Sequence, residues 1–134
     1  MGHASPGSYG LGVRVIVVDD SPVVRARLVA MLGEAGDVHV VAETWNGRDA
    51  LRLVRLHAPD AVVLDLNLPG MSGIEVLSLL KAEPAPPVVI ILTNHPQHRY
   101  RMECLRGGAD FFFDKSNDFD RVVEAVTSST TARS

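Results

Sequence analysis

Short apolar runs without polar alternation recur along the chain, and stretches with helical spacing separate them. These runs lie at residues 13–18, 61–64, 88–92 and 111–113. A strand with one face in water would alternate between apolar and polar residues, whereas a parallel strand covered on both faces is apolar throughout. The runs therefore predict an α/β fold in which helices cover both sides of one parallel sheet.

Capping signals mark where helices begin between these runs. Ser21 followed by Pro22 predicts the first helix, Asn46 the second, and a capping box from Ser72 to Glu75 the third. The predicted helices begin near residues 21, 46, 72, 96 and 118, and a further strand lies at 38–42. Strands and helices then alternate along the chain, which is typical of a parallel sheet with crossover helices.

Residues that can do chemistry follow four of the predicted strands. Asp19 and Asp20 follow the first strand, Asp65 the third, Thr93 the fourth and Lys115 the fifth. Ligands of open parallel sheets bind at the carboxyl ends of the strands. Sequential pairing alone does not fix the strand order, but the order 2-1-3-4-5 is favoured because its switch point brings the carboxylates together. Oxygen ligands at such a point favour a hard cation such as Mg²⁺.

Carboxylates gathered in this way repel one another. Two like charges ~4 Å apart cost about 4 kcal/mol at an effective dielectric near 20, so the cluster is strained without a cation. A carboxylate there can also act as a nucleophile and form an acyl phosphate. Asp65 is the predicted acceptor because it stands alone at the end of a central strand, while Lys115 and Thr93 offer a charge and a hydroxyl to phosphoryl oxygens. The residues alone therefore indicate a metal-assisted phosphoryl site.

The composition is that of one ordinary globular domain. With 134 residues, 46% of them hydrophobic, the chain is long enough for one core and too short for two. A net charge of −3 gives no reason to expect nucleic acid or an acidic membrane as a partner of this segment. Its single cysteine excludes an internal disulfide, and no apolar stretch approaches the ~18 residues of a membrane span. We expect a domain at 13–127, a flexible lead or cloning remnant at 1–12, and a frayed tail at 128–134.

Four motifs in this order resemble the receiver domain of two-component response regulators over nearly all of residues 13–127. They read VVDDSP at 17–22, VLDLNLPGMSG at 63–73, LT at 92–93 and FFDK at 112–115. The resemblance implies a flavodoxin-like, doubly wound sheet of five parallel strands in the order 2-1-3-4-5, with five helices.

The same resemblance implies a phosphotransfer site. A sensor histidine kinase or a histidine phosphotransfer protein would transfer a phosphoryl group from phosphohistidine to Asp65. The reaction would need Mg²⁺, for which Mn²⁺ can substitute. Asp20, Asp65 and the backbone carbonyl of Asn67 would hold the metal, and Asp19 would reach it through water.

The resemblance also implies a switch. Thr93 and Lys115 would contact the phosphoryl group, and movement of Thr93 would let Phe112 rotate inward. This rotation would alter the face formed by the fourth helix, the fifth strand and the fifth helix, where an output protein or domain would bind. The implied protein is cytoplasmic and is no enzyme beyond Mg²⁺-dependent self-phosphorylation and autodephosphorylation. A homodimer is left open, whereas membrane binding and direct nucleic-acid binding are not expected.

Two other functions compete with this interpretation. One is a phosphorylation-independent scaffold with the same fold. The other, which is less favoured, is an aspartyl-phosphate-type phosphatase; such enzymes carry Asp-x-Asp after the first strand and a substrate cap, and this chain has room for no cap. The sequence does not separate a stand-alone regulator from a receiver cut from a longer protein. It also leaves open whether the bond from Lys115 to Ser116 is cis, where relatives often have proline.

Overall fold

One parallel sheet forms the centre of the molecule. The structure, a computed structural model, describes residues 12–129. Within that range the strands are β1 (Val13–Val18), β2 (Val38–Thr44), β3 (Ala61–Leu64), β4 (Val88–Thr93) and β5 (Phe111–Asp114). They pair in parallel in the order β2-β1-β3-β4-β5. The predicted fold class and strand order are confirmed.

A helix follows each strand of the sheet in the described part of the chain. The helices are α1 (Pro22–Gly33), α2 (Gly47–His57), α3 (Gly73–Lys81), α4 (His98–Arg106) and α5 (Arg121–Thr127). The side chains of Ser21, Asn46 and Ser72 cap α1, α2 and α3 by accepting hydrogen bonds from backbone N–H groups. Glu75 completes the capping box at α3. These local bonds explain why the starts of the first three helices were predictable from the sequence.

Three elements differ from their predicted bounds. β2 is longer than predicted and reaches Thr44. α4 begins at His98, and Pro96 lies in the irregular segment before it. α5 begins at Arg121 rather than near 118. The carboxylate of Asp118 accepts a hydrogen bond from the backbone N of Asp114 at 3.0 Å, so this residue closes the preceding turn instead of opening the helix.

The predictions for the two ends fall largely outside the described residues. These predictions were the lead at 1–12 and the tail at 128–134. Of the tail, Ser128 is the C-cap of α5, and Ser129 is buried with its hydroxyl donating to the Ala125 carbonyl at 3.0 Å.

The sheet separates two apolar layers, and this explains the lack of polar alternation in its strands. Val15 and Val17 point to the layer that contains α1 and α5. Ile16 and Val18 point to the layer that contains α2, α3 and α4. All four side chains are at most 1% exposed, and burying each contributes about 1.5–3 kcal/mol. Successive residues of one strand are therefore all apolar, because alternate side chains enter the apolar layers on opposite faces of the sheet.

Backbone hydrogen bonds continue past the strand ends and align them at one edge of the sheet. The N–H of Asp65 donates to the Val18 carbonyl at 3.0 Å, and the N–H of Lys115 donates to the Thr93 carbonyl at 2.9 Å. The residues that follow neighbouring strands are thereby held side by side.

Candidate functional site

Carboxylates cluster at the carboxyl edge of the sheet, where β1 and β3 end. Asp19, Asp20 and Asp65 each offer an oxygen, and these oxygens lie within 4.8 Å of one another. Asp19 and Asp65 are only 1% and 3% exposed, whereas Asp20 is exposed to solvent. The structure thus brings together the acids that the sequence placed at two separate strand ends.

Lys115 bridges the two buried carboxylates. Its Nζ lies 2.8 Å from Asp19 Oδ2 and 3.3 Å from Asp65 Oδ2. All three side chains are largely buried, so these charges interact with little screening by solvent. One ammonium balances one of the clustered carboxylates, and the cluster keeps an excess of negative charge.

The backbone fixes the second oxygen of each buried acid. Oδ1 of Asp19 accepts a hydrogen bond from the N–H of Ser21 at 2.9 Å. Oδ1 of Asp65 accepts one from the N–H of Asn67 at 3.2 Å. Each carboxylate therefore has one oxygen held by the loop that follows its strand and the other turned toward Lys115. This arrangement orients both carboxylates before any ligand binds.

Burial changes the acid–base properties of the site. It raises the pKa of Asp65 above the ordinary 3.8; Lys115 opposes this effect and the charge of Asp19 reinforces it, leaving the pKa raised. Burial lowers the pKa of Lys115, but its hydrogen bond to Asp19 and the charges of Asp65 and Asp19 outweigh burial, so this pKa is raised overall. Lys115 therefore remains an ammonium ion, and Asp65 is a more basic carboxylate than usual.

Gly73 allows α3 to begin in direct contact with the Asp65 backbone. A Cβ at this position would lie 2.3 Å from the Asp65 carbonyl oxygen and 2.5 Å from Leu66 Cα. The N–H of Gly73 also donates to the Leu66 carbonyl at 2.9 Å. Only a residue without a side chain fits this approach. The sequence placed Gly73 within a motif, but the close approach becomes visible only in three dimensions.

Comparison with known proteins identifies the family. The family model of the response regulator receiver domain matches residues 15–127. The chain belongs to the response regulator receiver domain family. This membership agrees with the sheet order, with the acidic cluster and with the lysine that follows β5.

The relatives of this receiver domain are transcriptional regulators and response regulators. It is 35% identical over 114 residues to the transcriptional regulatory protein NarL of Mycobacterium tuberculosis. The aligned residues make up 85% of this chain and 53% of NarL. The solved receiver domain of M. tuberculosis NarL has a TM-score of 0.84 at 33% identity, covering 90% of this chain and 97% of that one. A LuxR-family response regulator from Aurantimonas has a TM-score of 0.84 at 31% identity, covering 91% of this chain and 87% of that one. The receiver domain spans about half the length of the curated relatives it matches.

Thr93 ends β4 inside the protein. It is fully buried, and its Oγ1 accepts a hydrogen bond from the N–H of His95 at 2.9 Å. The hydroxyl is thus held by the turn that leads into α4. Its predicted contact with a phosphoryl group stays a prediction.

Phe112 lies inside the apolar layer that contains α4. Its side chain is 6% exposed. The guanidinium of Arg101 lies 5.7 Å from the centre of the Phe112 ring and donates to the Phe112 carbonyl at 3.4 Å. The ring therefore already occupies an inward position, and its role as a switch stays a prediction.

Sequence reasoning missed a cation beside the site. Arg25 donates from Nη1 to the Asp19 carbonyl at 2.7 Å, and its Nε forms an ion pair with Glu43 at 3.1 Å. It thereby ties the loop after β1 to β2. No pattern in the sequence indicates this contact, because it depends on how α1 packs beside β2.

The loop after Lys115 is also shaped by side-chain hydrogen bonds. Asp114 Oδ1 accepts from the N–H of Ser116 at 2.9 Å. The peptide bond between Lys115 and Ser116 is trans.

Among residues 12–129, no helix is long and apolar enough to cross a membrane.

Proposed function

We propose that Asp65 accepts a phosphoryl group from the phosphohistidine of a sensor histidine kinase or a histidine phosphotransfer protein. The observation that carries this proposal is the surroundings of Asp65. It is buried, one of its oxygens is fixed by the backbone, and the other lies 3.3 Å from the Lys115 ammonium. A structural carboxylate would need no further acids beside it, yet Asp19 and Asp20 lie within reach of the same point.

The transfer is a substitution at phosphorus. A carboxylate oxygen of Asp65 forms the new P–O bond while the P–N bond to the donor imidazole breaks, and the imidazole leaves with the electron pair and takes up a proton. Lys115 balances charge on the phosphoryl oxygens, and the Thr93 hydroxyl donates to one of them once it leaves the His95 N–H. The chain supplies position and charge, which carry most of the rate in phosphoryl transfer.

The acidic cluster fits a bound Mg²⁺ or Mn²⁺. Its donors are all oxygen, and the single ammonium leaves their charges only partly balanced. Asp20, Asp65 and the Asn67 carbonyl would hold the ion. Asp19 would act through water; its Oδ2 is paired with Lys115 at 2.8 Å, which is shorter than the 3.3 Å between Lys115 and Asp65 Oδ2. When bound, the ion neutralises charge on the phosphoryl oxygens.

Output would pass through the α4-β5-α5 face. Thr93 and Phe112 lie on neighbouring strands, and the N–H of His95 links Thr93 to the segment before α4. Movement of the Thr93 hydroxyl toward a phosphoryl group would release this segment and change the packing around Phe112. The altered face would bind an output protein or domain.

Incubation with a small acyl phosphate and Mg²⁺, followed by intact-mass measurement, tests the proposal. We expect one added phosphoryl group on the wild type and none on Asp65→Asn. The matched control is Asp120→Asn, because Asp120 is an exposed acid without a side-chain cap hydrogen bond, and it should be labelled like the wild type. A folded protein that gains no phosphoryl group would favour the scaffold function. Repeated turnover of an external phosphate ester would favour a phosphatase.

A further inference from the structure

A small pocket lies beside the acidic cluster, between the loop after β3 and α4. It has a volume of about 210 Å³ and is lined by Leu66, Asn67, Ser72, Ile74, His95 and Tyr100. None of the clustered acids lines it, although Leu66 and Asn67 directly follow Asp65. Cofactor and drug-sized sites have ~300–1,000 Å³, so this pocket suits one apolar side chain better than a whole small molecule.

A guanidinium is fixed at the edge of this pocket. Arg99 stacks on the Tyr100 ring at 4.7 Å from its centre and donates to the Tyr100 hydroxyl at 2.8 Å. His95 contacts the same ring edge-on, with 6.5 Å between ring centres. Arg99 is exposed and has no carboxylate within ion-pair distance among residues 12–129. The stacking holds the guanidinium in place while leaving its charge available to a partner.

The surrounding helix carries unbalanced positive charge. In α4 the arginines are Arg99, Arg101 and Arg106, against the single acid Glu103. None of these arginines forms an ion pair within the described range, whereas two of the three arginines of α2, at 52 and 55, are paired with acids. The chain as a whole has a net charge of −3. A positive surface on an acidic protein, next to an apolar pocket, indicates a specific acidic partner.

We propose that this pocket and Arg99 form a docking site for an acidic peptide segment of a protein partner. An apolar side chain of the peptide fills the pocket against Ile74 and Tyr100, and a carboxylate of the peptide binds Arg99. The proposal rests on the proposed function only in taking α4 as part of the output face, and it adds the chemistry of the partner. A nucleic acid fits less well, because it offers phosphates without an apolar side chain to fill the pocket.

The test uses the full chain labelled with ¹⁵N and the peptide acetyl-Glu-Glu-Phe-Glu-Glu-amide. We expect its titration to shift the amide signals of Ile74, His95 and Tyr100. Arg99→Ala should weaken binding about tenfold, which corresponds to the loss of one charge-assisted hydrogen bond. Arg48→Ala is the matched control, since Arg48 is another exposed helical arginine outside any ion pair of the described range, and it should bind like the wild type.

Two altered peptides separate the parts of the site. In one peptide every Glu is replaced by Gln, and in the other the Phe is replaced by Gly. Each peptide should bind more weakly than the original one. The proposal is overturned if the peptide gives no shifts at millimolar concentration, if the shifts lie elsewhere, or if Arg99→Ala or the Gly peptide binds unchanged. Tighter binding of a single-stranded oligonucleotide through the same residues would also overturn it. Asp65→Asn should bind the peptide although it cannot be phosphorylated. Failure of the phosphoryl-acceptor proposal can therefore be distinguished from failure of the docking proposal.

Discussion

Asp65 carries a charge that its surroundings disfavour. Burial raises its pKa, and Lys115 offsets only part of this effect. A raised pKa in the folded state means that the ionised carboxylate costs stability at neutral pH. We therefore expect Asp65→Asn to raise the free energy of unfolding in metal-free buffer by about 1 kcal/mol. Urea denaturation in the presence of EDTA measures the difference.

The pH dependence of this difference has a definite sign. The cost of the ionised Asp65 is fully present above its folded pKa and disappears as the pH falls from there toward the ordinary 3.8. The advantage of Asp65→Asn should therefore shrink when the pH is lowered from neutrality. If Asp65→Asn were less stable than the wild type at neutral pH, attraction to Lys115 would outweigh burial and the expectation would be wrong.

Gly73 and Gly33 offer a matched pair of glycine substitutions. Gly73→Ala places a Cβ 2.3 Å from the Asp65 carbonyl oxygen, whereas a Cβ at Gly33 meets nothing within 4 Å. We expect Gly73→Ala to lower the free energy of unfolding by about 2 kcal/mol. Gly33→Ala, at the end of α1, should leave it unchanged or raise it by up to ~1 kcal/mol.

Denaturation and phosphorylation measurements on both variants check this pair. Because the clash falls on the backbone of Asp65, Gly73→Ala should also reduce phosphorylation by an acyl phosphate, whereas Gly33→Ala should not. Equal stability of the two variants would show that the backbone after β3 can shift without cost, contrary to the expected result.

At the scale of elements, α4 differs from the helices before it. α1, α2 and α3 each begin with a side-chain cap, but Gln97 at the N-cap of α4 makes no such hydrogen bond. We expect Gln97→Asp to stabilise α4 by about 1 kcal/mol, because Asp caps a helix start and its charge favours the helix dipole. Thermal denaturation and amide exchange of α4 measure the effect. Gln97→Ala should leave the stability of α4 nearly unchanged. A loss of about 1 kcal/mol in that variant would mean that Gln97 already stabilises the helix start.

The elements also mark what sequence reasoning can reach. Ser21, Asn46 and Ser72 gave correct helix starts because their caps are bonds between residues three positions apart. The predicted start of α5 was wrong, since the Asp118 carboxylate accepts a hydrogen bond from the N–H of Asp114 instead of capping the helix. The side-chain type suited both arrangements, and only the packed loop decides between them.

At the scale of the molecule, topology accounts for most of the candidate site. The strand order brings Asp19, Asp65 and Lys115 together. The apolar runs predicted the strands, and the acids at the strand ends favoured this order. The contacts of Arg25 and Gly73 were not predictable, because each depends on the distance between elements far apart in sequence. The sequence thus predicted that the acids and Lys115 meet, and packing determines how they are held.

Cys104 is a built-in reporter of unfolding of the whole molecule. It is the single cysteine, it is fully buried in the layer between the sheet and α4, and burial raises its pKa to about 11. The thiolate is the reactive form, so at neutral pH the folded protein should react with a thiol reagent only after opening. The labelling rate should therefore rise with urea as steeply as global unfolding does. A rate that urea leaves unchanged would indicate local opening of α4 instead.

Labelling of Cys104 should in turn detect a metal bound at the distant acidic cluster. A ligand that binds only the folded state at 100 times its dissociation constant adds about 2.7 kcal/mol of stability, which corresponds to about 100-fold slower labelling. We expect Mg²⁺ to slow labelling in this way, and EDTA to restore the original rate. Asp20→Asn should abolish the effect, because Asp20 is the exposed member of the cluster and is not paired with Lys115. Equal slowing of labelling in that variant would place the metal elsewhere in the protein.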